Sequence, residues 1–415
     1  MAESITVRDY PTHKTLHEAF KEYTETAIKQ LQSICPPSAP QVLSGLDVWR
    51  RDSDGAFRLY DHEEPYWVPC IQRNRELLHS LPQYSHLVDT LRNDAQIAPL
   101  LDALVGTAFM SRRIDLEQIT DHFVFAVPRE IGRLEFDVAI FDRILIAFEV
   151  DLRKQHLTHI LLVPLLGVSI EHPPIQLGPG IEIDVMTDAE IIRCLGIGLL
   201  PDDIGLQRMR MPKQEAAIRL SYDVEKFVGR HTSSLTRSNP MQDAVEKAMA
   251  VLRALRVFKE GRVTAPGFLH FSDNWPAQGA SHFTLSNPGA MPWANKYPLH
   301  SYDKAALVEF WRHFEEVTGS GALANAVRRF SYASERDRPD DQLVDLMIAA
   351  ESIFLSDSGA PEGRGELRYR LALRAAFFID SKEYSKKELY RHMRRAYDAR
   401  SALVHGAVEL DPHLL

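Results

Sequence analysis

Beyond Tyr302, no segment of the chain has the alternation of apolar and polar residues typical of a strand, and this constrains the fold more than any other feature. Apolar residues recur there at helical spacing in separate segments. These segments run from Lys304 to Thr318, Ala322 to Glu335, Asp340 to Phe354, Glu366 to Asp380 and Ser385 to His405. Polar and glycine-rich breaks such as SDSGAPEGRGE separate them. The sequence therefore predicts an all-α C-terminal domain, residues 301–415, built as a four- or five-helix bundle.

The strands of the protein must then lie upstream. Segments rich in β-branched and aromatic residues occur between His122 and Val185, namely HFVFAV, LEFDVAIFD, RILIAFEVDL, THILLVPLLGVSI and GIEIDV. Short turns separate these segments, and their composition favours strands. We therefore expect an N-terminal α/β region, residues 1–300, with a mixed β-sheet at about residues 120–186. The predicted fold class of the whole chain is α+β.

Other elements of the N-terminal region are predicted from caps and turns. Helices are expected at Thr15 to Ser33, at about 84–104, from a capping box of Thr187 and Glu190, and at Pro240 to Glu260, closed by Gly261. The stretch GLDVWRRDSDGAFRLYD predicts a hairpin. The stretch 271–301, dense in Gly, Pro, Asn and Ser, predicts loops and short strands that bridge the two domains.

Composition limits the compartment and the partners. The 415 residues carry a formal charge of −9, which excludes a basic coat for non-specific nucleic-acid binding. Cys35, Cys70 and Cys194 form no CxxC pair and are odd in number, so we expect structural thiols in a reducing compartment. The N-terminus lacks a signal-like apolar core, and no apolar run approaches the roughly 20 residues of a membrane helix. We expect a cytoplasmic protein that does not contact membranes.

Common catalytic motifs are missing from the sequence. It contains no GxxxxGK[ST], GxGxxG, HExxH or GxSxG. P-loop hydrolysis, dinucleotide redox chemistry, zinc proteolysis and elbow-type esterase chemistry therefore have no sequence support.

The last predicted helix has an arginine on its apolar side. In KELYRHMRRAYDARSALVH, stepping by about 100° per residue places Arg400 near the middle of the stripe that contains Leu389 and Tyr397. The same stepping directs Arg374 and Glu351, each on its own helix, toward the shared core. Because an unpaired buried charge is costly, Arg400 must be paired or must line a polar pocket. A bridge from Arg400 to Glu351 is the simplest such pairing.

His405 lies on a different side of the last turn, and Gly406 can end the helix after it. The rise between Arg400 and His405 is about 7.5 Å, so a guanidinium and an imidazole can reach one pocket. A histidine in this position also interacts favourably with the helix C-terminus, which is the purely structural interpretation.

The ordered combination of polar residues on three successive helices resembles the Apea-like branch of the HEPN superfamily. The combination consists of Glu351, Glu366, Arg370, Arg374, Tyr397, Arg400, Ser401, His405 and Gly406. In that family, an arginine is followed after four to six residues by a histidine near the end of the last long helix, usually with a polar residue after the arginine. Arg400, Ser401 and His405 fit this pattern, and the resemblance covers the last quarter of the chain.

The resemblance implies a HEPN helical bundle that forms a homodimer and cuts RNA without a metal ion or cofactor. His405 would move the proton of the 2′-hydroxyl or protonate the leaving oxygen, and Arg400 would hold the scissile phosphate. The product would carry a 2′,3′-cyclic phosphate. Ser401, Glu351, Arg374 and Tyr397 would support the site, and the implied setting is prokaryotic defence against phage.

Two other interpretations stay open from the sequence. The HEPN domain could be catalytically silent and serve as a nucleic-acid-binding or dimerisation module. Alternatively, Asp137, Glu149 and Asp151 on predicted strands, with Lys154 nearby, loosely resemble the carboxylates and lysine of a Mg²⁺-dependent nuclease. The lysine is missing from its usual place in that pattern, because Asp151 occupies it.

Overall fold

A computed structural model describes residues 14–35, 42–101, 103–106, 111–200, 209–210, 216–229, 240–272, 279–285, 297–319, 321–336, 338–356 and 366–406. Helices and strands are both present in quantity, so the fold class is α+β. Within these residues, no helix combines the length and the hydropathy that a membrane span requires.

The N-terminal helices pack around an aromatic core. They are α1 (Lys14–Ile34), α2 (Trp67–Arg73), α3 (Arg75–His79), α4 (Pro82–Asn93), α5 (Leu116–Ile131) and α6 (Val138–Arg153), with a 3₁₀ turn at Ala98–Leu100. The rings of Phe20 and Phe123 lie 4.7 Å apart, and Phe148 lies 5.2 Å from Phe123. Helix α1 begins and ends within one residue of the predicted segment, Thr15 to Ser33.

Residues 122–131 lie in helix α5 and residues 138–153 form helix α6, so the expectation of strands there is wrong. Asp115 caps α5 by accepting a hydrogen bond from the Gln118 amide at 2.6 Å, and Asp137 caps α6 in the same way through Ile140 at 2.9 Å. The buried residues of α6 are Phe141, Leu145, Phe148, Glu149 and Leu152, which recur every three or four positions. Tertiary burial of these helical faces outweighs the strand propensity of β-branched and aromatic residues.

Cys35 and Cys70 form a disulfide, with their Cα atoms 6.5 Å apart, so the expectation of three thiols is wrong for this pair. The bond joins the end of α1 to α2 across the hairpin between them. Cys194 is a buried thiol. No spacing signal indicates this pair, because the packing of α1 against α2 brings the two residues together.

The strands form several sheets. They are β1 (Val42–Arg51), β2 (Phe57–Glu64), β3 (Leu104–Gly106), β4 (Ser111–Arg113), β5 (His156–Pro164), β6 (Val168–Ile170), β7 (Ile175–Gly178), β8 (Ile181–Val185), β9 (Met209–Arg210), β10 (Ala216–Glu225), β11 (Phe227–Gly229), β12 (Gly267–Ser272), β13 (Gly279–Thr284) and β14 (Tyr297–Leu299). The predicted hairpin is the antiparallel pair β1 and β2.

The largest sheet has the order β13-β12-β5-β10-β8-β7. All of its pairings are antiparallel, which corrects the expectation of a mixed sheet, and it spans about residues 156–284 rather than 120–186. The parallel pairing described is that of β6 with β14, in a separate two-stranded sheet. Residues 271–301 were expected to bridge two domains, but β13 and the end of β12 place part of this stretch in the largest sheet.

Helices cover the two faces of this sheet. On one face, α7 (Asp188–Gly196) packs with Leu162 and Leu269, and Thr187 and Glu190 form the predicted capping box. On the other face, α8 (Pro240–Phe258) packs with Leu161 and Ile218. Each face of the sheet is therefore buried against a helix.

The C-terminal helices lie at the predicted positions. They are α9 (Asp303–Val317), α10 (Gly321–Ala333), α11 (Pro339–Phe354), α12 (Leu367–Phe378) and α13 (Lys386–Val404). Helix α10 packs against α11, and α12 packs against α13, while α11 also contacts both α12 and α13.

The core of the sheet continues across residue 301. Leu307, Trp311 and Phe314 of α9 belong to the same buried cluster as the strands and α8. The Arg256 side chain of α8 is 2% exposed and donates hydrogen bonds to the carbonyl oxygens of Val263 and Ser331, at 3.0 Å each. Helix α10 is thereby bonded to the helix that lies on the sheet.

Candidate active site at the end of the last helix

Helix α13 carries the predicted residues, and its two ends are defined by local signals. Ser385 and Glu388 form a capping box at the start, since each side chain bonds the backbone amide of the other. His405 is the C-cap residue, and its amide donates to the Ser401 carbonyl at 3.1 Å. Gly406 follows with φ +88°, a conformation that favours glycine. The helix therefore ends where the sequence predicted.

Arg400 is half-buried and faces α11. Its Nη2 lies 3.6 Å from Oε2 of Glu351, and each side chain is 25% exposed. This contact is an ion pair longer than a hydrogen bond. Arg400 Nε is buried and has no hydrogen-bond partner among the described residues. Glu351 therefore does not satisfy all donors of the guanidinium, and only the exposed quarter of the side chain can bind an anionic group.

Arg374 of α12 contacts the same end of α11. Its Nη1 donates a 2.6 Å hydrogen bond to the carbonyl oxygen of Phe354, one of the carbonyls that the end of a helix leaves without an intrahelical partner. Because Glu351 and Phe354 are one turn apart, both predicted arginines meet the last turn of α11. The structure thus brings Glu351, Arg374 and Arg400 together, as the helical stepping predicted.

His405 does not join this group within one chain. It is exposed, and among the described residues no hydrogen bond or ion pair links it to Arg400. The two residues point to different sides of α13, as their spacing of five positions requires. Arg400 therefore faces the helix core while His405 faces solvent.

The remaining two predicted supporting residues lie on α13, and two further polar residues nearby have other contacts. Ser401 and Tyr397 are half-buried on α13 next to Arg400. Asp398 is held by Arg368 of α12, whose Nη1 lies 2.8 Å and 3.0 Å from the two carboxylate oxygens. This neighbour raises the pKa of the Arg368 guanidinium. Asp398 thus serves the packing of α12 on α13, and Glu366 is an exposed residue at the start of α12.

A buried carboxylate near the site was not among the predicted residues. Asp345 of α11 is 3% exposed and accepts hydrogen bonds from Arg329 Nη1 at 3.0 Å and Arg336 Nε at 2.8 Å. It fixes α11 against α10 and so fixes the helix that carries Glu351. The sequence contains a signal for Asp345, because it is an acidic residue at a core position of the helix, six residues before Glu351.

The alternative metal site on strands is absent from the structure. Asp137 is the N-cap of α6, and Glu149 and Asp151 lie on that helix instead of on adjacent strands. Lys154 Nζ donates to Asp151 at 2.6 Å. Across the described residues, no group of three or more histidine, cysteine or acidic side chains is arranged to hold a metal ion. The Mg²⁺-nuclease interpretation therefore loses the geometry on which it rested.

No model of a protein family matches this chain, and no curated protein or solved structure shows significant similarity to it. The residues and their geometry are accordingly the basis for any statement about function.

Proposed function

We propose that this protein is a metal-independent HEPN-type endoribonuclease that cuts RNA by attack of a 2′-hydroxyl on the adjacent phosphate. The observation that carries the proposal is the placement of Arg400 and His405 at one helix end, with the guanidinium anchored by Glu351 and the imidazole exposed. These are the two side-chain types that such a reaction needs. Arginine offers planar donors to a phosphate, and histidine exchanges protons near neutral pH.

Each residue has a defined task in this mechanism. His405 takes the proton of the attacking 2′-hydroxyl, or gives a proton to the 5′-oxygen that leaves. Arg400 binds the phosphate oxygens and stabilises the negative charge that builds up on them in the transition state. Glu351 holds the guanidinium in place, and Arg374 fixes the last turn of α11 that presents Glu351. The bond from phosphorus to the 5′-oxygen breaks, and the product is a 2′,3′-cyclic phosphate.

The separation of the two residues supports a site shared by two copies of the chain. Within one chain, Arg400 faces α11 and His405 faces solvent, so a second protomer can supply the partner group for each. Large apolar side chains are exposed on these helices, and the most exposed are Phe377 at 72%, Phe378 at 76% and Val404 at 57%. Exposed apolar side chains of this size are typical of interaction surfaces. A homodimer through the C-terminal helices is therefore part of the proposal.

The test is cleavage of end-labelled single-stranded RNA by the purified full-length protein, once with EDTA and once with Mg²⁺. We expect cutting in both conditions and products that end in a cyclic phosphate. A substrate with a single 2′-deoxyribose at the cleaved position should resist at that position, because it lacks the nucleophile. Cutting that requires Mg²⁺, or that proceeds on the deoxy substrate, would contradict the mechanism.

The second candidate function is a silent HEPN domain that binds nucleic acid or dimerises without chemistry. The paired state of Arg400 favours it, since an ion pair to Glu351 also serves a purely structural role. A folded dimer that binds RNA and leaves it intact under all conditions would establish this alternative.

A further inference from the structure

The outward face of α13 carries a row of cations that leads to His405. Stepping by about 100° per residue back from His405, the side chains of Lys387, Arg391, Arg394 and Arg395 all fall within about 80° of its direction. We call these four residues the basic face. The distance along the helix from Lys387 to His405 is about 27 Å, at 1.5 Å per residue.

Three of the four charges of the basic face are not held in ion pairs within the described part of the chain. Lys387, Arg391 and Arg395 are exposed, and among the described residues none of the three forms an ion pair. Some other arginines at the surface are paired, such as Arg312 with Glu309 at 2.7 Å and Arg338 with Asp340 at 2.6 Å. In a chain of net charge −9, an unpaired row of cations is a local exception.

One acidic residue, Asp398, lies in the same sector, but it is already neutralised. Arg368 contacts both of its carboxylate oxygens, at 2.8 Å and 3.0 Å. The approach to His405 along α13 therefore keeps its positive potential. A polyanion is the partner that such a row attracts.

Aromatic rings accompany the basic face along one side. Tyr369 of α12 is 48% exposed, and its ring lies edge to face with that of Tyr390 at 6.1 Å. The Arg394 guanidinium lies 5.7 Å from the centre of the Tyr390 ring. Cations beside accessible aromatic rings are the combination with which proteins bind single-stranded nucleic acids, since bases stack on the rings while the cations follow the backbone. Paired bases of a duplex could not stack in this way.

We propose that the basic face of α13 binds the backbone of a single-stranded RNA, whose bases stack on Tyr369 and Tyr390, and leads the strand to His405. This inference rests on the proposed function and adds the substrate class and the path of the strand. An RNA with an unpaired stretch is then the substrate, and a duplex is not.

Binding is measured with a fluorescent 2′-O-methyl oligonucleotide, which has no free 2′-hydroxyl and so stays intact. The test protein is the full-length triple variant Lys387→Glu, Arg391→Glu, Arg395→Glu. The matched control reverses three exposed cations of the N-terminal helices, Arg73→Glu, Arg92→Glu and Arg129→Glu, and so changes the net charge equally.

We expect the test variant to lose roughly tenfold or more in affinity, and its plot of log affinity against log salt to be shallower by about 2, at roughly 0.7 per lost contact. The control should bind like the wild type. Tyr369→Ala should lose about fivefold or more on the single strand, with little change in the salt dependence. Thermal denaturation shows whether each variant is folded. The milder double variant Lys387→Gln, Arg391→Gln replaces the test variant if the triple reversal does not fold.

Equal binding by the test variant and the wild type, or equal binding of the single strand and its duplex, would overturn the inference. So would binding to vesicles of anionic phospholipid in place of RNA, since a cationic face beside aromatic rings also suits a membrane surface. The two proposals fail separately. If RNA binds through the basic face but is never cleaved, the proposed ribonuclease activity is wrong and the proposed RNA path stands. If RNA is cleaved and the test variant binds it as tightly as the wild type, the proposed path is wrong and the ribonuclease activity stands.

Discussion

Arg400 of α13 and Glu351 of α11 form an ion pair in which Nη2 lies 3.6 Å from Oε2 and each side chain is 25% exposed. The Glu351 carboxylate compensates the half-buried positive charge of Arg400 and also fixes the orientation of its guanidinium. Charge and position can be separated experimentally, because glutamine keeps the shape of glutamate and lysine keeps the charge of arginine.

Glu351→Gln should affect activity more than stability. Loss of a partly exposed ion pair should lower the free energy of unfolding by less than about 1 kcal/mol. Cleavage should fall by up to about a hundredfold, because displacement of a positioned group by about 1 Å has an effect of this order. Rates on single-stranded RNA and denaturant unfolding check both numbers. Full activity in a variant that has lost its Arg400 contact would show that Glu351 has no positioning role.

His405→Ala should strongly slow cleavage without loss of fold. His405 is exposed at the end of α13, so the free energy of unfolding should change by less than about 0.5 kcal/mol. The rate should fall by roughly 10²- to 10⁴-fold, the usual contribution of a general acid or base. His86→Ala, at an exposed histidine of α4, is the matched control and should keep its activity. Equal rates for the two variants would remove His405 from the mechanism.

Asp345→Asn should destabilise the protein. Asp345 is 3% exposed and holds both Arg329 and Arg336. Neutralising it leaves two guanidinium groups without their partner, with an expected loss of about 2 kcal/mol in the free energy of unfolding. Asp340→Asn, at the start of the same helix, should change stability far less. Urea unfolding of the two variants side by side gives the comparison, and similar midpoints would contradict this account of α11.

Stability should decrease as the pH falls from about 6.5 to about 4 because of two buried histidines. Burial lowers the pKa of both His159 and His270 to about 4. His159 Nδ1 and His270 Nε2 lie 2.9 Å apart, and the Tyr222 hydroxyl lies 2.9 Å from the same His270 nitrogen. Between these pH values the unfolded chain binds more protons than the folded chain, so acid favours unfolding.

The magnitude at pH 5 is on the order of 2 kcal/mol per histidine. Denaturant unfolding at pH 7 and at pH 5 measures it. His159→Gln and His270→Gln should each reduce the difference between the two pH values, whatever they do to stability at pH 7. A difference that persists unchanged in both variants would assign the acid sensitivity to other groups.

Reduction of the Cys35–Cys70 disulfide should lower the free energy of unfolding by about 3–4 kcal/mol, the chain-entropy value for a closed loop of 35 residues. Thermal denaturation with and without a phosphine reductant measures this loss. Cys70→Ser should reproduce it and become insensitive to the reductant. Titration of the denatured, unreduced protein should find one reactive thiol, that of Cys194, and three thiols would contradict the pairing.

Sequence patterns predicted the C-terminal helices well because their signals are local. The capping box of Ser385 and Glu388 and the stop at Gly406 define α13, and helical stepping alone directed Arg400, Arg374 and Glu351 toward one another. The strand assignment of residues 122–153 failed for a local reason as well. Asp115 and Asp137 are N-caps, and the apolar spacing of α6 is helical, but β-branched and aromatic composition suggested strands.

Long-range pairings were out of reach for the sequence. His159 and His270 are 111 positions apart, and they meet only because β12 lies beside β5 in the sheet. Cys35 and Cys70 meet because α1 packs on α2. The face of a helix can be read from its own residues, whereas the neighbour of a strand depends on the order in which the whole sheet is assembled.

The core that continues across residue 301 decides which piece of this protein can be studied alone. A fragment that begins there would expose Leu307, Trp311 and Phe314 to water and would lose Arg256, to which Ser331 is bonded. Such a fragment would tend to aggregate, and inactivity in it would say nothing about Arg400 or His405. The smallest useful piece for work on the last helix therefore includes the antiparallel sheet that α9 covers.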